Sequence, residues 1–431
     1  MAYYSGTSGE DTFSGDIERK NLAFMGEGND HATGGDLGDE LHGEGGNDNI
    51  YGNGGDDYLF LDLGDDYASG GGGSDTILGG GGTDTVLGDA GDDDIRVYQG
   101  STAFGGAGDD QIINYAQPGS GFSTISGEAG DDLIGGEVGA HGHYDGGAGE
   151  DTIYYAATET GVTINLLTGH GGGAAAGDTY YRIEDAQGSL GNDILIGNGA
   201  VNYLNGVFGD DIIAGGGAGD ILDGYDGIDT LDYRTSPAGV QVNLTTGTAY
   251  GGDAQEDIFR NFENLWGSAH TDQLVGDAGA NTLRGYAGND RIVAGKGDDR
   301  IEGGDGDDLL RGDAGKDNLF GGAGKDSFLY FSAADSTVAA TGRDTIHDFS
   351  HAQGDVIDLS VMDANAVKSG NQAFTFIGTK AFDGSAGELH VVSLGSAAII
   401  QGDLNGDRQA DFAIAINYDP SHPLVAGDFI L

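Results

Sequence analysis

Residues 70–97 read GGGGSDTILGGGGTDTVLGDAGDDDIRV. An aspartate returns at every ninth residue, Asp75, Asp84 and Asp93, and each stands two positions before an aliphatic side chain, Ile77, Val86 and Ile95. Followed outward, the spacing holds without a gap from Met25, through MGEGNDHAT, GGDLGDELH, GEGGNDNIY, GNGGDDYLF and LDLGDDYAS. The sixth position is Asp30, Asp39, Asp48, Asp57, Asp66, Asp75, Asp84 and Asp93 in turn. The eighth is Ala32, Leu41, Ile50, Leu59, Ala68, Ile77, Val86 and Ile95. A second run opens at Gly188 with Asp193, Asn202, Asp211, Asp220 and Asp229. A third opens at Gly267 with Asp272, Asn281, Asp290, Asp299, Asp308, Asp317 and Asp326, and single units sit at Asp11, Asp110, Asp132 and Asp151. A disordered acidic tract does not hold an aliphatic residue at fixed phase over such a distance, so the chain is a periodic array.

Composition agrees. The chain has 431 residues, of which 87 are glycine and 4 proline, and no strict G-X-Y period, which excludes collagen. Acidic residues number 72 against 17 Lys and Arg, a formal charge of −55. Nucleic acid and anionic membranes require a basic surface, so neither is an expected partner, whereas cations are. There are no cysteines to staple the fold. MAYYSGTSGEDTFSG lacks the basic and apolar regions of a signal peptide, and no apolar run reaches transmembrane length. The expectation is a chain that stays in the cytosol or leaves it without a cleaved N-terminal signal.

The G-G-x-G-x-D-x-U-x unit resembles the calcium-binding nonapeptide of the RTX (hemolysin-type) repeat family. In this reading x-U-x is a short strand with its central side chain inward, and the first six residues form a turn. Two nonapeptides make one coil of an all-β, right-handed parallel β-roll. Turns 18 residues apart stack, Asp57 under Asp75 and Asp66 under Asp84. At a strand spacing of about 4.8 Å, a calcium ion with oxygen ligands at about 2.3–2.6 Å fits between successive turns.

The resemblance implies that each ion takes carbonyls and the aspartate of one turn with those of the next turn on that side. One implied site is Asn53, Gly55 and Asp57 with Gly70, Gly72 and Asp75. The next is Asp62, Gly64 and Asp66 with Gly79, Gly81 and Asp84, and in the third run Gly304, Gly306 and Asp308 pair with Gly321, Ala323 and Asp326. The same ligand set takes in Gly71, Gly73, Gly88 and Ala90 in the first run. In the third it takes in Gly288, Gly295, Gly297, Gly303, Asp305, Gly312 and Ala314. Counting gaps between turns gives roughly 8–14 Ca2+ ions. Asn202 and Asn281 keep an oxygen and lose a charge, Leu61 and Leu63 replace glycines, and His141 takes the aspartate position of GEVGAHGHY, so these units are expected to be weaker or to hold no ion.

Seven segments follow: an N-terminal cap with one degenerate repeat (1–24), a first repeat block (25–154), a connector (155–187), a second block (188–232), a second connector (233–266), a third block (267–329) and a C-terminal cap (330–431). The connectors are duplicates, GVTINLLTG matching GVQVNLTTG and YRIEDAQGS matching FENLWGS, and their alternation suggests strands that continue the stack. RDTIHDFSHAQGDVIDLS and GDLNGDRQADFAIAINYD resemble the C-terminal region of serralysin-type (M10) secreted metallopeptidases, which implies a β cap on the open end of the roll. DLNGDRQAD, with Asp403, Asn405, Asp407 and Asp411, has the oxygen spacing of a calcium loop but not its terminal glutamate, and serves equally well as a turn. AGDFIL resembles the tail of type I (ABC) secretion substrates, which implies export by that machinery.

No H-E-x-x-H or G-x-S-x-G motif occurs, so neither a serralysin zinc site nor a lipase elbow is present. His141 and His143 read as part of a turn. The sequence thus points to a secreted calcium-binding protein, extracellular or attached to the cell surface, without catalysis. Alternatives are the folding and secretion module of an extracellular enzyme, or a calcium-dependent adhesin. Surface polysaccharide and self-association are open as partners.

Overall fold

The structure is a computed structural model that describes residues 1–98, 100–115, 121–137, 139–155 and 158–431. Val138 of the GEVGAHGHY unit and Ala156 and Ala157 of the first connector lie outside the described residues. The chain packs as two units, Met1–Ile213 with Asp223–Gly227, and Ala214–Leu222 with Ile228–Leu431. The boundary between them falls within residues 188–232.

In the first unit the repeat strands pair in parallel with the strand one coil later. One ladder runs through Asn49–Gly54, Tyr67–Gly72 and Thr85–Ala90, with Ile50 opposite Ala68 and Ala68 opposite Val86. The other runs through Tyr58–Phe60, Thr76–Leu78 and Asp94–Tyr98, with Leu59, Ile77 and Ile95 in line. Both rows of aliphatic side chains are fully buried. The protein is a parallel β-roll, and the aliphatic eighth position is its core.

Several strands are longer than the three residues expected. Asn49–Gly54 and Tyr67–Gly72 run on through the first glycine positions, so that Asn53 pairs with Gly71 and Gly54 with Gly72. The second and fourth positions of a turn carry the chain around the corner with left-handed backbone angles. Gly71 and Gly73 show this (φ 107° and 128°), as do Asn53, Asp62 and Asp89 (φ 77°, 66° and 75°), the residue types that tolerate it best after glycine.

The second unit repeats the plan. Asn264–Trp266, Thr282–Ala287, Arg300–Asp305, Asn318–Ala323 and Thr345–Phe349 form one ladder. Gln273–Val275, Arg291–Lys296, Leu309–Ala314, Ser327–Leu329 and Val356–Asp358 form the other. Both ladders are closed by C-terminal strands. Phe412–Tyr418 pairs in parallel with Thr345–Phe349 and continues antiparallel through Ala397–Asp403 to Glu388–Ser393. Phe429–Ile430 covers Val356–Asp358. Capping of this kind removes the open hydrogen-bonding edge that a repeat stack otherwise presents.

The connectors do more than lengthen a coil. Val162–Asn165 joins the ladder against Ile194–Ile196 and also makes an antiparallel hairpin with His170–Gly173. The second connector repeats this, Gln241–Asn243 pairing with Gln273–Val275 and with Thr248–Tyr250.

Candidate metal centre

The repeat aspartates form columns held by one recurring bond. The backbone N–H of each donates to Oδ1 of the aspartate one coil later. In one column Asp39, Asp57, Asp75 and Asp93 are linked at 2.6–2.8 Å. In the other Asp30, Asp48, Asp66 and Asp84 are linked at 2.7–3.1 Å. The second unit has Asp272, Asp290, Asp308 and Asp326 in one column, and Asn281, Asp299 and Asp317 in another. Within the second run, Asp193 donates to Asp211 at 2.7 Å.

The other carboxylate oxygen distinguishes these residues. Oδ2 of Asp30, Asp48, Asp57, Asp66, Asp75, Asp84, Asp93, Asp110, Asp132, Asp151, Asp290, Asp299, Asp308, Asp317 and Asp326 is buried with no N–H or O–H donor. A buried carboxylate oxygen without a partner is costly, and its repetition at one position of the repeat marks a site for a cation. Burial, with like-charged neighbours adding to it, pushes Asp57, Asp93 and Asp308 up to about 7; burial likewise takes Asp48, Asp75 and Asp84 up to about 6.

Glycine at the first position makes the space. A methyl group on Gly70 would run into Asp75 Oδ2 and come within 2.7 Å of the Gly88 carbonyl oxygen. On Gly52 it would meet Asp57 Oδ2 and the Gly70 carbonyl, and on Gly303 Asp308 Oδ2 and the Gly321 carbonyl. One carboxylate oxygen and one carbonyl oxygen of the next coil therefore share a cradle that a side chain would fill. Among the described residues no group of three or more His, Asp or Glu side chains converges; an ion held here would have to take most of its ligands from backbone carbonyls, a donor set that would suit the hard calcium ion.

The sequence-derived ligand sets are brought together in part. Asp57 and Asp75 lie in successive turns, and the Gly70 carbonyl and the Asp57 carboxylate border the same space beside Gly52. The Gly72 carbonyl instead accepts the Gly55 N–H (2.7 Å); Gly81 does the same for Gly64 (2.8 Å) and Ala323 for Gly306 (2.7 Å). Asp39, Asp193 and Asp272 lack the free oxygen. Asn21 and Gly35 serve Asp39. Ser189 serves Asp193 through its N–H and hydroxyl, and Ser268 serves Asp272 in the same way. Asn202 and Asn281 each donate a side-chain N–H to a carbonyl, Glu184 and Glu263 respectively.

Three features were not legible in the spacing. First, the columns differ in length. The Asp93 column continues through Asp110, Asp132 and Asp151 to Glu184 although the steps vary from 17 to 33 residues. The Asp84 column meets Ser101, whose hydroxyl takes the Asp84 N–H. There Ser123, Asn114 and Tyr144 form a buried protein-only network. Second, the columns run into the C-terminal cap. Asp317 donates to Asp344 and Asp326 to Asp355 (3.0 and 3.1 Å). The signal was present: Asp344-Thr-Ile346 and Asp355-Val-Ile357 keep the D-x-U order. Third, His141 does not occupy the aspartate position. Gly142 does, opposite Ser123, because Tyr144 fills the core opposite Ile125 in place of the more polar His143. His143 stacks on Phe122 and bonds Thr179, while His141 faces Asp178 at 3.8 Å.

Where an insertion interrupts the repeat, a tyrosine takes the place of the cradle. Tyr155, two residues after the core Ile153, donates its hydroxyl to Asp178 Oδ2 (2.5 Å), and Asp178 Oδ1 accepts the Gly142 N–H. Tyr233, two residues after Leu231, donates to Asp257 Oδ2 (2.8 Å), and Asp257 Oδ1 accepts the Asp220 N–H. Both tyrosines are buried. In the DLNGDRQAD loop the carboxylates are turn acceptors: Asp403 takes the N–H groups of Gly406 and Arg408, and Asp411 that of Leu404.

Comparison with protein-family models agrees with this repeat. A family model described as the RTX calcium-binding nonapeptide repeat (4 copies) matches residues 33–68, 62–95, 119–140, 181–213, 266–301 and 294–328. No curated protein matches the chain. Among solved structures it is similar to the AlgE6R2 subunit of the Azotobacter vinelandii mannuronan C5-epimerase, at 23% identity over 38% of this chain and 91% of that one, with a TM-score of 0.21. The AlgE6R3 subunit of the same enzyme matches at 23% identity over 37% of this chain and 77% of that one, with a TM-score of 0.19. Over the segments matched by the family model, the chain is built of RTX calcium-binding nonapeptide repeats.

Proposed function

We propose that the protein is a non-enzymatic extracellular component, at the cell surface or in the surrounding matrix, whose fold is conditional on calcium. The observation that carries this is the row of buried Oδ2 atoms without donors. The ligands of each ion are an aspartate carboxylate and the first-position carbonyl of the next coil, with further carbonyls from both turns. Sites of the class found in extracellular modules, with dissociation constants of about 10⁻⁴–10⁻³ M, stay empty where calcium is scarce and fill outside the cell. Binding free energy then becomes folding free energy. The chain would cross a type I exporter unfolded, guided by its C-terminal region, and fold as it emerges. In a host carrying such an exporter, the full chain is expected in the medium and a chain lacking residues 330–431 inside the cell. Equal secretion of both would refute the route. Light scattering on the purified chain should show an expanded coil in a calcium chelator and a compact particle in millimolar calcium.

A further inference from the structure

The two ladders of the first unit present different outer faces. One of them runs from Ala2–Thr7 through to Thr152–Tyr154 as nine paired strands. There each core side chain is followed by a residue that points outward, and in successive coils these are Phe24, His42, Phe60, Leu78, Arg96 and Ile113. The His42 ring is sandwiched between Phe24 and Phe60, with centroids 4.4 Å away on both sides and planes within 14° of parallel. Tyr3 and Tyr58, in the row before the core residue, are 68% and 55% exposed. In the other ladder the same rows are richer in hydroxyls. Thr85, Thr102 and Thr124 stand in register before the core residue, and Ser69 and Ser126 flank Leu87 and Phe104 after it.

Charge separates the aromatic face from the rest of the chain. The acidic residues in its two outward rows are Glu40 and Asp94, and each is bonded within the face. His42 Nε2 lies 3.1 Å from Glu40, and Arg96 donates to both oxygens of Asp94 at 2.8 and 3.1 Å. The repeat carboxylates behind the formal charge of −55 sit in the turns instead. At a strand spacing of about 4.8 Å and about 3.3 Å per residue, nine strands of up to five or six residues cover on the order of 650 Å². That is close to the ~800 Å² each partner gives to a standard interface, and exposed apolar patches of this extent mark interaction sites. A strongly basic or acidic partner finds no charge here to read. A second copy of the chain does fit. Two copies repel wherever turns meet turns, but across this face neither presents a row of carboxylates. Flat sheets pack face to face about 10 Å apart with their side chains interdigitated, and contact between identical patches closes at two copies.

We propose that two folded copies of the chain associate through this face, sheet against sheet about a two-fold axis, with Phe60 and Leu78 near the middle of the contact. The dimer needs the folded roll and does not depend on the route of export.

The test is sedimentation velocity of the full chain in several millimolar calcium, beside F60E, L78E and, on the other ladder, L87E. The parent should form a species of twice the chain mass with a dissociation constant of about micromolar or tighter. Added sodium chloride should strengthen it, because salt screens the repulsion between turns. F60E and L78E should each weaken it roughly tenfold or more, since each buries a charge in the contact, and L87E should leave it unchanged. If a charged variant fails to fold, L78C and L87C in the otherwise cysteine-free chain give the answer instead. Raising the protein concentration through the dimer range should slow maleimide labelling at position 78 about fivefold, because the core of a contact excludes solvent, and leave labelling at position 87 unchanged. A parent that stays monomeric about a hundredfold above micromolar, its face then open to a glycan or another protein, would overturn the proposal. So would a dimer that salt weakens, or one equally sensitive at positions 78 and 87.

Discussion

Asp57 and Asp178 occupy equivalent places in the roll, yet their second carboxylate oxygens differ. Each is buried and each accepts, at Oδ1, a backbone N–H from the previous coil. Oδ2 of Asp57 has no donor, whereas Oδ2 of Asp178 takes the Tyr155 hydroxyl. The second connector repeats the difference, with Tyr233 on Asp257. A repeat turn of nine residues has no room for a side chain in the cradle and leaves the oxygen to an ion. An inserted turn brings its own hydroxyl. The same buried charge is therefore left open to a cation in one region and satisfied by the chain in the other, and the two regions should respond differently to calcium, protons and mutation.

The largest effect expected is on pH in the absence of calcium. The folded-state values of Asp57, Asp93, Asp290 and Asp308 are raised by burial to about 7, above the unfolded carboxylate range near 4. A raised folded value means that the ion-free roll is favoured below about pH 4 and loses that stability as pH rises through 6 to 7. In a chelator, β-type circular dichroism should thus return on acidification. A signal that is independent of pH would show that the columns are not charged in the way described.

Asp75→Ala should come next. It removes the acceptor of the Asp57 N–H and a ligand on either side, so the calcium midpoint of folding should rise about tenfold, equivalent to 1.4 kcal/mol. Asp326→Ala should match it, since Asp355 carries that column further. Asp272→Ala removes a residue already served by Ser268, and should lower stability without a calcium-dependent part. A smaller shift for Asp326→Ala than for Asp75→Ala would mean that the column ends at the last repeat.

Two glycines of one turn sharpen the point. Neither Gly70 nor Gly72 needs a left-handed backbone, but a methyl group on Gly70 fills the cradle, and one on Gly72 meets only the Asn53 carbonyl at 3.8 Å. Gly70→Ala should weaken calcium binding several-fold, and Gly72→Ala should be close to neutral. Equal effects would place the ion elsewhere in the turn. Smallest in its dependence on calcium is the effect of Tyr155→Phe and Tyr233→Phe, each of which should cost about 1–3 kcal/mol of stability. That cost should be the same at every calcium concentration at which the roll is folded, because no ion replaces the lost hydroxyl.

The fold was legible because one inward aliphatic and one aspartate per nonapeptide fix strand, turn and register together, as Asp75 and Ile77 do. The column partners of Asp57, Asp66 and Asp84 follow from a constant step of 18. Legibility ended where the step changed. Nothing in the spacing joins Asp110 to Asp132 across 22 residues, or Asp317 to Asp344 across 27, although D-x-U recurs at each. The position of Gly142 was lost for a different reason: both His143 and Tyr144 could stand inward by spacing, and the packing of Tyr144 on Ile125 decides between them. The tyrosine closures were invisible because the partners lie 23 and 24 residues apart within segments of no period.

If the buried Oδ2 atoms make the roll conditional on calcium, removal of the ion should unfold it. Far-ultraviolet circular dichroism at pH 7.5, followed while calcium is raised from a chelated baseline to several millimolar, tests it most directly. An unfolded spectrum is expected at baseline, followed by a cooperative gain of β-type signal and full reversal in excess EGTA. A β-type spectrum that persists unchanged in EGTA would contradict it.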